Sequence, residues 1–175
     1  MVIHEYTAME RFLELVEQHP NQHFEFTAQG EIIEVSPKRL HSWIQVTIAH
    51  FLRLYIPNLP GCDVLSECAH ELNGWPCLPD VSVDPVGDEE IPTVPPLVAV
   101  EIKSRSNTLK DQREKARQYL AHGTQMVWLV FPEKRIIEIY LAQGDDQILT
   151  TTDTLDGGTV LPGFSIAVSD LFPAE

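Results

Sequence analysis

The stretch Leu97-Val98-Ala99-Val100-Glu101-Ile102-Lys103-Ser104 decides how this chain is read. It begins as a short apolar run, the pattern of a strand buried on both faces. It then changes character. Side chains alternate along a strand with a period of two, so Glu101 and Lys103 project from one face. Charges at the end of a buried strand are costly to desolvate unless something compensates them. Either the two compensate each other, or a metal ion and a substrate do. Upstream, Leu78-Pro79-Asp80-Val81-Ser82-Val83 is a second strand candidate with Asp80 at its start. If the strands are neighbours, Asp80, Glu101 and Lys103 meet in one place. Two hard oxygen ligands, Asp80 and Glu101, suit Mg²⁺ or Mn²⁺. A lysine beside them can hold a water or help to deprotonate it. Two clustered carboxylates also repel, so neutralising either one is expected to stabilise the metal-free protein.

This arrangement resembles the PD-(D/E)XK nuclease superfamily: Pro79-Asp80, then, after 20 intervening residues, Glu101-Ile102-Lys103. The wider chain is similar to the cyanobacteria-rich Uma-two family, described as restriction endonucleases. The matching pieces begin with Phe24-Glu25, Gly30-Glu31-Ile32-Ile33-Glu34, Ser36-Pro37 and His41. Pro79 to Val83, Pro96 to Glu101 and Ser104-Arg105-Ser106-Asn107 follow, and then Lys115, Tyr119, Gly123 and Val127-Trp128-Leu129-Val130. Many members of that family carry an apolar residue where Lys103 stands, so this chain is closer to the general superfamily pattern. The resemblance implies a restriction-endonuclease-like α/β fold, a mixed sheet flanked by helices on both faces. It implies that Asp80, Glu101 and Lys103 are catalytic, with Asp80 and Glu101 holding the metal. It also raises Glu25 as an auxiliary ligand or orienter. The helix after the Glu-x-Lys strand would present polar residues to the site, so Lys115, with Tyr119 one turn on, could supplement or replace Lys103.

At 175 residues the chain is expected to form one domain, with an irregular acidic segment from about residue 143. No apolar run approaches the roughly 18 residues of a membrane span. Met1 to Glu5 carry neither a basic start nor a signal-peptide core, which points to the cytoplasm. Cys62, Cys68 and Cys77 lack Cys-x-x-Cys spacing and read as free thiols in a reducing compartment.

The formal charge of −14 opposes binding to phosphate, so the distribution of charge decides the matter. Six of the twelve Lys and Arg residues lie between Lys103 and Arg117, whereas the segment from Gln143 onward has no basic residue. Lys110, Arg113 and Arg117 form a stripe on the flank of their helix away from Lys115. This stripe is either a solvated face or a contact for neighbouring backbone phosphates of DNA.

In chain order, Thr7-Ala8-Met9-Glu10 is a capping box for a helix burying Phe12, Leu13 and Val16 and stopping before Pro20. Phe24 to Phe26 and Ile32 to Val35 flank a Gln29-Gly30 turn as a hairpin. Glu25 points away from the side its phenylalanines bury, either into solvent or towards the site. A long helix from about Leu40 to Tyr55 carries Trp43, Ile44, Ile48, Phe51, Leu52 and Tyr55 on its apolar face. His41, in its first turn, is either a helix-start histidine on solvent or a carboxylate, or a phosphate contact at the rim of the site.

Val64-Leu65 and Ala69 to Leu72 read as strand pieces, with an Asn73-Gly74 turn before the Asp80 strand and His70 and Glu71 on the sheet surface. Pro85 to Pro96 reads as an acidic loop. Thr108 caps a helix to His122 whose buried stripe is Leu109, Ala116 and Leu120. Met126 to Phe131 is a central strand paired with Arg135 to Leu141, and Gln147 to Thr152 adds an edge.

The expected function is metal-dependent hydrolysis of phosphodiester bonds in DNA. The alternative is a non-catalytic module that binds nucleic acid or protein on the same fold. A further alternative makes Glu101 and Lys103 an ion pair in the interface of a homodimer.

Overall fold

A computed structural model describes residues 6–104 and 107–174. Arg105 and Ser106 of the matching stretch, and Met1 to Glu5, lie outside the described residues. Helix α1 spans Ala8–Gln18 and opens on the expected capping box, Thr7 and Glu10 each accepting from the other's backbone N–H. It buries Met9 and Phe12, while Leu13 and Val16 stay exposed, because its main packing partner is the short strand that follows.

Strands β1 (His23–Phe26) and β2 (Ile32–Val35) form the predicted antiparallel hairpin. Helix α2 (Arg39–Tyr55) leads to β3 (Cys62–Ser66). The Asn73-Gly74 turn closes a separate small hairpin, β4 (His70–Leu72) with β5 (Trp75–Cys77), rather than leading straight into the Asp80 strand. Both turn residues have positive φ, 50° and 80°, the conformation that Asn-Gly supplies most readily in a two-residue hairpin.

Next come β6 (Val81–Pro85), β7 (Val98–Ile102), α3 (Leu109–Ala121), β8 (Met126–Phe131) and β9 (Ile136–Leu141). The six-stranded sheet runs β10-β9-β8-β7-β6-β3, where β10 is Gln147–Leu149. β6 and β7 are antiparallel neighbours, and β7 and β8 are parallel. The parallel pair requires a crossover, which α3 provides. Every residue of β7 and β8 is buried.

The alternation of side chains divides the core. Val81, Val83, Val98, Val100, Ile102, Trp128 and Val130 pack under Ile44, Ile48, Leu52 and Tyr55 of α2. Ala99, Val127, Leu129 and Phe131 face Ala116 and Tyr119 of α3 and Leu72, Trp75 and Cys77 of the small hairpin. Burying each large aliphatic side chain contributes about 1.5–3 kcal/mol relative to exposure. The fold is therefore the expected mixed sheet with helices on both faces.

Two further expectations are corrected. His70 is fully buried rather than on a sheet surface, held between Asp84 Oδ1 (2.5 Å) and the Cys68 carbonyl (2.8 Å). The segment after residue 143 is more ordered than its composition suggests. β10 is the edge strand expected from Gln147; the unexpected part is β11 (Thr154–Asp156) paired with β12 (Ser165–Ala167), and the segment sends Leu155, Leu161, Phe164, Val168, Leu171 and Phe172 into the α2-side core. Among the described residues, no helix is long and apolar enough to cross a membrane.

Candidate active site

The register of β6 on β7 pairs Val81 with Val100, which brings Asp80, at the entry to β6, alongside the Glu101–Ile102 end of β7. Asp80 Oδ2 accepts from the Ile102 N–H at 2.6 Å, and Oδ1 lies 3.0 Å from His41 Nε2. The main-chain carbonyl of Asp80 is held as firmly as its side chain. It accepts from Gln45 Nε2 (3.1 Å), Ser66 Oγ (3.0 Å) and the Glu67 N–H (3.3 Å). Gln45 follows His41 by four residues, so one face of α2 grips both ends of Asp80. Glu67 has φ 50°, a left-handed conformation uncommon outside glycine and a mark of a locally fixed backbone.

Glu101 is answered from α3. Lys115 Nζ lies 2.8 Å from Oε2, and the Tyr119 hydroxyl donates to Oε1 at 2.8 Å. All three side chains are buried. Here the expected orientation of α3 is corrected. Gln112, Lys115, Ala116 and Tyr119 face inward, while Leu109 is exposed and Leu120 only half-buried. The polar flank, not the apolar stripe, meets the sheet.

Burial pushes the Glu101 carboxyl up to about 7; Lys115 pulls it down, and the charges of Asp80 and Glu25 add to the rise. Burial would lower Lys115, but the surrounding carboxylates Glu101, Glu25 and Asp80 outweigh it and leave its pKa above the ordinary value. The Glu25 carboxyl is also raised, by burial first and by Asp80, against the opposing pull of Lys115, a hydrogen bond from Asn107 and the charge of His41. For His41, burial is overcome by its bond to Asp80 and by the carboxylate charges nearby, so the imidazole holds its proton more tightly than usual. Three carboxylates thus share one ammonium and one imidazole.

Lys103 is placed differently from its partners. β7 ends at Ile102, and Lys103 Nζ donates to the Ser104 carbonyl at 2.9 Å while its side chain lines a groove beside His41. The lysine on Glu101 is Lys115. On the other flank of α3, Arg113 makes two bonds to Glu138 of β9 (3.0 and 2.6 Å), and Arg117 lies over the Tyr140 ring at 5.8 Å. Lys110 is exposed. The stripe is thus largely occupied in clamping α3 to β9. Arg113→Ala is expected to cost stability, on the order of 1–3 kcal/mol because it strands the buried Glu138, and to leave the salt slope of nucleic-acid binding unchanged. Urea unfolding and binding across a range of salt check the two halves.

Asp80, Glu101 and, at a distance, Glu25 offer the hard oxygens that Mg²⁺ prefers. Glu25, His41, Glu67 and Asp80 also line a cavity of about 30 Å³, room for an occupant the size of a water. Among the described residues, no three His, Cys, Asp or Glu side chains form a complete cage. Gln45, Ser66 and Glu67 escaped the sequence reading. Gln45 had a signal, a polar residue four after His41 on a face otherwise apolar.

The structure is similar to a crystal structure described as a "putative nuclease" from Anabaena variabilis, with a TM-score of 0.80 and 22% identity, covering 96% of this chain and 98% of that one. This shows the fold. No curated protein matches the chain. The Uma2 family model, described as "Putative restriction endonuclease", matches residues 6–169. With the mixed sheet, Asp80 at the entry to β6 beside Glu101 of β7, and a family match over nearly the whole chain, the protein belongs to the Uma2 family.

Proposed function

We propose that the protein is a metal-dependent nuclease that hydrolyses phosphodiester bonds in DNA. The observation that carries this reading is the meeting of Asp80 and Glu101 at one end of the sheet with Lys115 on Glu101. Asp80 and Glu101 would hold Mg²⁺ or Mn²⁺, with the Ile102 carbonyl as a further oxygen. When bound, the ion would lower the pKa of a water and stabilise charge on the attacked phosphate.

The protein's own part is positioning. His41, Gln45, Ser66 and the Glu67 N–H fix Asp80, and Tyr119 and Lys115 fix Glu101. The Lys115 ammonium offsets the buried carboxylates and is placed to stabilise negative charge developing beside Glu101. Lys103 faces the groove next to the site, where it would meet substrate phosphate. Fixed dipoles and charges of this kind need no reorganisation during the reaction. A cytoplasmic setting belongs to the same proposal.

One observation favours the alternative of a non-catalytic binding module: Glu101 is already satisfied by Lys115 and Tyr119 without an ion. Calorimetric titration of Mn²⁺ separates the two. The nuclease reading expects saturable binding that strengthens from about pH 6 to about pH 8. The ion takes Glu101 without its proton, and that carboxyl sits near 7. No heat at either pH, together with no cleavage of DNA, would favour the module.

A further inference from the structure

We infer that the groove beside the site holds one unpaired strand of nucleic acid, with its phosphates on Lys38, Lys103 and Lys134. This rests on the nuclease reading and narrows its substrate class. The groove measures about 560 Å³ and runs between β2, the start of α2 and the turn joining β8 to β9. Val35, Leu40 and Pro132 give it apolar walls, and Lys38 and Lys103 line it. A smaller hollow of about 120 Å³ shares Lys103 and Pro132 with it and adds Lys134, so the three lysines follow one track. Glu34 and Glu133 stand exposed along the same walls. Three lysines against two acids still leave the track net positive on a chain of formal charge −14.

The inner part of the track is marked by His41, which is only 7% exposed. Its Nε2 holds Asp80, and its Nδ1 is buried and lacks a hydrogen-bond partner among the described residues. Buried ring nitrogens are rarely left unmatched, and His41 lines both this groove and the small cavity beside Asp80. His41 thus joins the groove to Asp80, one of the two carboxylates of the site.

The same features argue against a duplex as the ligand of this groove. A duplex hides its base faces and presents phosphates, so affinity for it comes from many cations spread along the backbone. Of the α3 stripe that could supply them, Arg113 and Arg117 are engaged by Glu138 and Tyr140, which leaves Lys110. Few cations and apolar walls suit a single strand, whose base faces are free to lie against the protein while a few lysines track its phosphates. A cleft of this volume takes a ligand of drug-like size, on the order of one or two nucleotides.

The test is fluorescence anisotropy in Ca²⁺, using a short labelled DNA oligonucleotide alone and annealed to its complement. The single strand is expected to bind at least about tenfold more tightly, the worth of one base contact. Lys38→Ala with Lys134→Ala should weaken single-strand binding and flatten its log–log salt slope by about 1.4 units. Both residues are exposed, so folding should be retained. Leu40→Ser should weaken single-strand binding while leaving the charge of the groove, and so the salt slope, unchanged. Equal or tighter binding of duplex, or an unmoved salt slope in the double lysine variant, would overturn the inference. If metal-dependent cleavage persisted with that result, the nuclease reading would stand. Absence of binding to either DNA together with absence of cleavage would overturn both.

Discussion

Lys115→Met is expected to lower the stability of the metal-free protein by about 3–5 kcal/mol at about pH 8. The lysine is the ammonium that Glu25, Asp80 and Glu101 share, and its loss leaves buried negative charge without a counterion. The sign with pH follows from the Glu101 carboxyl, whose pKa in the fold is raised to about 7. An acid with a raised pKa favours folding through its protonated form. That contribution is complete below the unfolded value near 4.5 and is lost as pH rises through about 7. In Lys115→Met the lysine's opposing pull is gone. The penalty should therefore be small at about pH 5 and grow towards about pH 8.

Adding Glu101→Gln to Lys115→Met should return most of the loss, because it removes the carboxylate left alone. By the same reasoning Glu101→Gln alone should be neutral or stabilising without metal, as repulsion between the carboxylates suggests. Urea midpoints of the two single variants at Lys115 and Glu101 and of the double variant, measured in chelator, decide the matter. Additive losses would show that Lys115 and Glu101 do not act as a pair.

Asp80→Asn is expected to abolish measurable Mn²⁺ binding and reduce DNA cleavage on the order of a thousandfold. The amide keeps an oxygen for the Ile102 N–H, so the end of the sheet stays in place while the charge is lost. Lys103→Ala, which acts from the groove, should cost less than this, about tenfold in cleavage, and spare metal binding. Cleavage rates at saturating Mn²⁺ beside calorimetric isotherms give both comparisons. Unchanged Mn²⁺ binding by Asp80→Asn would remove this carboxylate from the proposed site.

The elements that repeat an apolar period were legible. α2 shows its core face at Ile44, Ile48, Leu52 and Tyr55, and β7 and β8 show unbroken apolar runs. The meeting of Asp80 with Glu101 followed from pairing two such runs. The inward turn of α3 was not legible by the same logic. Periodicity treats Leu109 and Leu120 as the face to bury, but the sheet offers Glu101 and Glu138 to that helix, and Lys115, Tyr119 and Arg113 answer them. The partners belong to other elements, so periodicity alone does not reveal the match; the family resemblance is what points Lys115 and Tyr119 at the site. His70 was misplaced for the same reason, since its partner Asp84 comes from β6. The β11–β12 hairpin was missed because three-residue strands are too short to display alternation.

The packing of the last stretch fixes the order in which the fold can be completed during synthesis. Phe164 lies stacked 5.6 Å from Trp128, and Tyr55 of α2 donates to the Pro162 carbonyl at 2.9 Å. Until those residues have left the ribosome, the α2 side of the sheet lacks part of its cover. The α3 side draws only on residues up to Tyr140. A nascent chain can therefore close the Glu101–Lys115 face while the opposite face still presents Trp128 and Ile137 to chaperones or to other chains.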